Sequence, residues 1–141
     1  MTVFVDRSID PTADQVRALR DVPDERPITM VNLLKFRAQA RYEDGEMTPC
    51  TGREAYARYQ HAFTVTVGTV SQAQVVFSGP VQQVFIGRAG QPEADWDEVL
   101  VVRYPSRRHF LAMMADPTYR DALRHRYAGL ERTVLLQCAA D

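Results

Sequence analysis

The sequence predicts an α+β sandwich, one antiparallel-type sheet with helices on one face, in the ferredoxin-like order βαββαβ preceded by an extra N-terminal helix. Three observations carry this. Apolar runs at 28–36, 73–87, 96–104 and 132–138 alternate with two helical stretches in the order strand, helix, strand, strand, helix, strand. Both helical stretches open on recognisable start signals. The strand side chains also sort by parity into one uniformly apolar class and one mixed class, so the sheet has two faces of different character.

Residues 1–27 form an extension in which Thr2 to Val5 suits a short strand and "DPTADQVRALRDV" a helix. Asp10 or Thr12 can cap that helix and Pro11 fits its first turn. "PDERP" ends it, and "ITMVNLLKF" (28–36) is the first full strand. "RAQARYEDGEMTPC" (37–50) is a polar connection turning at Gly45 and Pro49. Thr51 and Glu54 then have the spacing of a capping box, and Ala55, Tyr59, Ala62 and Phe63 make the core stripe of the helix they open. "AQVVFSGPVQQVFIG" (73–87) reads as one long strand kinked at Ser78-Gly79-Pro80, with a hairpin as the alternative. After a loop at "RAGQPEAD", "WDEVLVVRY" (96–104) is the next strand. Pro105-Ser106 opens a helix that Asp116-Pro117 breaks and restarts, since proline cannot continue the hydrogen-bond ladder but suits a first turn. Gly129 can end the second piece, and "RTVLLQC" (132–138) closes the sheet.

Asn32 is the anomaly in this pattern. A buried amide without partners costs about 1–3 kcal/mol, yet it sits in the middle of the most apolar strand. Its parity class also holds Met30, Leu34, Gln74, Ser78, Glu98, Leu100 and Thr133. The opposite class, with Val31, Leu33, Val99, Val101, Val134 and Leu136, is apolar apart from Lys35 and Arg103 at the strand ends, whose long stems can reach water. The expectation is that helices cover the apolar class and that Asn32 points away from them. A face that is too apolar for water and too polar for a dry core then calls for a second copy, closing a homodimer around a partly polar interior.

Composition narrows the function classes. With 141 residues, 45% hydrophobic and 25% charged, the chain reads as one ordinary soluble domain, 1–141. A net charge of −1 gives no electrostatic case for nucleic acid or an anionic membrane. Lys35 is the only lysine; the arginines are scattered among acids, a pattern of compositional bias. Cys50 and Cys138 form no CxxC pair, and the N-terminus has no targeting pattern, which together suggest reduced thiols in the cytoplasm. His61, His109 and His125 show no metal spacing, and there is no phosphate loop, nucleophile elbow or dinucleotide fingerprint, so neither a metal nor a cofactor is expected.

Four residues remain as candidates. Asn32 suits a ligand-orienting amide, and Trp96 a stacking or mouth-closing side chain. Glu98 shares the parity of Asn32 and would serve as a base if desolvated, or stay a solvated carboxylate. His125 stands in "RHR", where like charges favour the neutral imidazole of a base or a haem ligand; the plain alternative is a surface histidine near a helix end.

"MVNLLKF", "WDEVLVVRYPS" and "DPTYRDALRHRYAGL", in this order, resemble the domain-of-unknown-function family 1330 over most of the chain. The resemblance implies a ferredoxin-like fold in the dimeric α+β barrel superfamily and no settled activity. One departure is "VGTV" (67–70), where relatives tend to carry a glycine pair before the strand. Three functions stand as expectations: binding of a small, mostly apolar molecule with cofactor-free oxidation or isomerisation; a non-enzymatic dimeric module; and, more weakly, haem binding.

Overall fold

The computed structural model describes residues 9–43 and 49–140, with only the backbone of 65–69. The suggested strand at Thr2 to Val5 lies outside the described residues. The elements run α1 (Ala13–Arg20), β1 (Ile28–Phe36), α2 (Gly52–Ser71), β2 (Gln74–Pro80), β3 (Glu98–Tyr104), α3 (Arg107–Ala115), α4 (Pro117–Gly129) and β4 (Leu130–Ala139). A short 3-10 turn, Pro92–Ala94, interrupts the loop before β3. The sheet order is β2-β3-β1-β4 with every pairing antiparallel, which is the ferredoxin-like arrangement.

The caps follow from the sequence. Thr51 accepts from the backbone N–H of Glu54 while Glu54 Oε1 accepts from that of Thr51, at 3.1 and 3.0 Å. Thr12, rather than Asp10, caps α1, in a reciprocal pair with Gln15. Ser106 caps α3, and Asp116 both ends α3 and caps α4 through the N–H groups of Thr118 and Tyr119. α2 runs through the "VGTV" stretch to Ser71, and the chain turns instead at Gln72, whose φ of 52° is left-handed. Where α2 meets α4, Gly52 and Gly129 press backbone to backbone: a Cβ on Gly52 would stand 2.2 Å from the Arg37 carbonyl and 2.6 Å from that of Gly129.

Two expectations need correction. Residues 81–87 are neither the second half of a kinked strand nor a hairpin partner. β2 ends at Pro80, and Phe85 and Ile86 stand 86% and 89% exposed in the loop that follows. One last backbone bond, Val81 N–H to the Asp97 carbonyl at 2.9 Å, follows Pro80 before the chain leaves the sheet.

The sheet faces are also reversed from the expected assignment. Ile28, Met30, Leu34 and Phe36 of β1, with Val102 and Tyr104 of β3, are buried under the helices together with Tyr56, Tyr59, Phe110, Met113 and Tyr119. Asn32 belongs to this covered face. The uniformly apolar class (Val31, Leu33, Val99, Val101, Val134, Leu136) lies on the bare face, where Leu136 is 50% exposed. Long and aromatic side chains reach across the wider gap to a helix layer. The short valines suit a flat sheet surface, and the helix side supplies phenols that an amide can share space with. On β2 the parity itself shifts: Val75 pairs with Val102 but Phe77 with Val101, so Val76 is the extra residue of a bulge. Val75 and Ser78, three apart, therefore face the same side.

Candidate functional site

Asn32 pairs with Leu100 on β3 and Leu135 on β4, at the centre of the sheet. Its side chain lines a cleft of about 230 Å³ between α2 and the sheet. α2 contributes Tyr56, Tyr59, Gln60, Phe63 and Thr64, which the helical repeat places on one face. The strands contribute Val75, Ser78, Leu100, Val102 and Tyr104. None of these residues carries a formal charge at neutral pH.

The amide's orientation is fixed by its partners. Nδ2 donates to the Leu100 carbonyl at 3.0 Å and approaches the Met30 carbonyl at 3.5 Å. Carbonyls only accept, so the nitrogen must face them and Oδ1 is turned away. Among the described residues Oδ1 accepts no hydrogen bond, and it is not sealed from solvent-sized space. The hydroxyl of the buried Tyr56 side chain likewise makes no hydrogen bond among the described residues, and it feels the charges of Arg126 and Glu98. The other two phenols are occupied: Tyr59 and Tyr119 share a hydrogen bond at 3.0 Å, and the Tyr104 hydroxyl points at Met113 Sδ, 3.8 Å away. Burial holds Tyr56, Tyr59 and Tyr104 well above the ordinary phenol range, so they are donors and not bases.

The structure does not bring the four sequence candidates together. Glu98 shares the face of Asn32 but lies at its far end, opposite Leu34. It accepts from Arg53 Nη1 at 3.2 Å, and that guanidinium in turn lies over the Phe36 ring. Trp96 donates from Nε1 to the Glu93 carbonyl at 2.9 Å, and Arg132 stacks on its ring at 4.3 Å. Arg132 also donates to the carbonyls of Pro92 and Asp95, so this group fastens the loop before β3 onto β4. His125, on α4, lies in a wide shallow groove with Arg124 of the same helix and Arg58 and His61 of α2. Its pKa is lowered first by burial and then by Arg124 and Arg58. Arg126, the second arginine of "RHR", turns inward to within 3.8 Å of Asp10.

Tyr56, Tyr104 and Ser78 were not singled out by the sequence as site residues. The helical spacing of Tyr56 with Tyr59, Gln60 and Phe63 was the available signal for the first. Nothing local announces the other two, because the bulge at Val76 and the cross-sheet register place them. Among the described residues no group of three His, Cys, Asp or Glu side chains could hold a metal ion, and no helix is long and apolar enough to cross a membrane.

Comparison with known proteins adds the following. The family model described as Domain of unknown function (DUF1330) matches residues 46–137. The RPA0582 protein of Rhodopseudomonas palustris, itself of unknown function, is 34% identical; its structure superposes with a TM-score of 0.83, covering 94% of this chain and 96% of that one. A dimeric protein of unknown function and ferredoxin-like fold from Bacteroides fragilis superposes with a TM-score of 0.51 at 11% identity, covering 81% of this chain and 96% of that one, a likeness of fold alone. No curated protein matches the chain.

Proposed function

We propose, for a chain that belongs to the DUF1330 family and so has a family without an assigned activity, that it is a homodimer whose protomers each bind a small neutral molecule in the cleft beside Asn32. The observation that carries the binding reading is the pair of polar groups without a hydrogen-bond partner among the described residues, Asn32 Oδ1 and the Tyr56 hydroxyl, on a cleft whose described lining is uncharged and mixes aromatic, aliphatic and polar side chains. Buried polar groups are normally paired, so a site that leaves an acceptor and a donor open is suited to a ligand bearing both. A hydroxyl supplies both functions. The cleft exceeds the roughly 150 Å³ of an apolar cavity known to hold benzene, so a substituted ring fits. Any chemistry here would rest on hydrogen-bond donation by held-neutral phenols, because the described lining offers no carboxylate or imidazole.

The dimer reading rests on the bare face. On that face Phe77 is 55%, Val134 37% and Leu136 50% exposed in the single protomer, side by side on neighbouring strands with Val31 and Val101 between them, and a contiguous apolar patch of this kind calls for a cover. The Bacteroides fragilis protein of the same fold is described as dimeric. A two-fold pairing of bare faces would bury Phe77, Val134 and Leu136 with no polar group to match.

The binding reading is tested with three ligands of one shape. 4-Ethylphenol should raise the melting temperature in a saturable way. 4-Ethylanisole, with its donor capped, should bind more weakly, and 4-ethylbenzoate more weakly still, since no described lining residue is a cation and the nearby Arg126 already faces Asp10. Equal binding of all three, or preference for the carboxylate, would refute it. Sedimentation at micromolar concentration should give twice the chain mass.

A further inference from the structure

The outer surface of α2 has the opposite character to the cleft beneath it. Ala57 and Ala62 floor a groove between α2 and α4, and Arg58, His61, Arg124 and His125 rim it. Among the described residues neither arginine has a carboxylate partner, although other arginines of the chain do. Of the acids nearby, Glu54 is held first by hydrogen bonds to Thr51 and only last by the charge of Arg58, and Asp121 acts on His125 as the weakest of its four influences.

The hydrogen bonds orient this rim. Arg58 Nη1 donates to the Tyr42 hydroxyl and to Cys50 Sγ, both at 3.4 Å, and the Tyr42 hydroxyl lies 2.7 Å from His125 Nδ1. A guanidinium can only donate, so the Tyr42 oxygen accepts from it and its own proton is free to go to Nδ1. With Nδ1 accepting, the neutral ring must carry its proton on Nε2. The groove therefore gathers donors: the rest of the Arg58 guanidinium, all of Arg124, and, in the tautomer that accepts from Tyr42 or in the protonated ring, His125 Nε2–H. Tyr42 also holds Arg58 and His125 in place, which lowers the ordering cost of binding.

We propose that this groove binds a small organic anion, a carboxylate or a phosphate monoester, with its charge between Arg58 and Arg124 and its apolar body over Ala57 and Ala62. The site is distinct from the neutral cleft and does not depend on the dimer. Charge-assisted bonds from guanidinium groups supply the anchor, and the described rim offers donors where a neutral ligand would also need an acceptor.

The test follows the histidine ring resonances by NMR at fixed ionic strength, with phenyl phosphate and benzoate as probes. Both should shift the His125 and His61 signals in a saturable way. Bound anion should also raise the pKa of His125, because the protonated ring gains a counter-charge. Arg124→Ala should weaken binding roughly tenfold, the scale of one charged hydrogen bond, and Arg124→Lys should restore part of it. Arg17→Ala, on α1, should change nothing. Arg124 is exposed, so its removal leaves the fold intact, which the unchanged spectrum of the rest of the chain would show. An unaltered affinity in Arg124→Ala, or equal shifts with neutral benzyl alcohol, overturns the proposal. Inorganic phosphate should bind more weakly than phenyl phosphate; equal affinity would overturn the role given to the alanine floor.

Discussion

The two faces of the sheet differ in the opposite sense to their polarity. The bare face is apolar from β2 to β4, with Phe77, Val101, Val31 and Leu136 across it. The face that the helices cover holds the central amide of Asn32, the hydroxyl of Ser78 and three phenols around the cleft. Exposure in one protomer is therefore a poor guide to what a face is for. An identical copy can cover a uniformly apolar surface without any polar matching, and sheets stack well through short β-branched side chains. A face with polar groups needs individual partners, and only the helix layer of the same chain can place them side chain by side chain.

The largest effect on this contrast should come from separating the helix layer from the sheet. Gly52→Ala would drive its Cβ into the backbone carbonyls of Arg37 and Gly129, neither of which is a flexible end. A loss of about 3 kcal/mol or more in a denaturation midpoint is expected. A near-neutral result would mean that the contact of α2 with α4 does not set the covered face.

Next in size is a charge on the bare face. Leu136→Asp should leave the protomer folded, because the position is half-exposed there, and should weaken the dimer about a hundredfold or more by burying an unpaired carboxylate. Sedimentation should then give the mass of a single chain. A dimer that survives would show that the partner sits elsewhere and that the contrast between the faces has another cause.

Thr51→Ala removes the acceptor for the Glu54 N–H at the start of α2. It should cost about 0.5–2 kcal/mol and leave the dimer mass unchanged. Loss of the dimer in this variant would join the two faces energetically, against the division drawn here.

Asn32→Leu should have the smallest effect on stability and the sharpest on function. Only the Leu100 carbonyl loses a partner at good distance, so destabilisation should stay near 1 kcal/mol. The dimer should persist, since Asn32 is not on the bare face, and the preference for 4-ethylphenol over 4-ethylanisole should vanish. A monomeric or strongly destabilised Asn32→Leu would make the amide a register device between β1 and β3 instead of a ligand group.

What the sequence determined by itself was local. The capping boxes at Thr12 and Thr51, the Asp116-Pro117 restart, the strand cores and the order of elements are written within a few residues of where they act. The existence of two unlike sheet faces, and the oddity of Asn32, are also properties of the pattern alone. The tertiary structure decided which face the helices cover. A parity pattern reads the same from either side, and a one-residue difference in phase where the chain enters a strand exchanges the faces. It also decided the bulge at Val76, which moves Ser78 into the cleft, the departure of the chain from the sheet after Val81, and the placing of Asn32 and Tyr56 on one cleft. Each of these depends on contacts between segments remote in the chain, where the free energy lies in packing and hydrogen-bond partners that no single stretch of sequence contains.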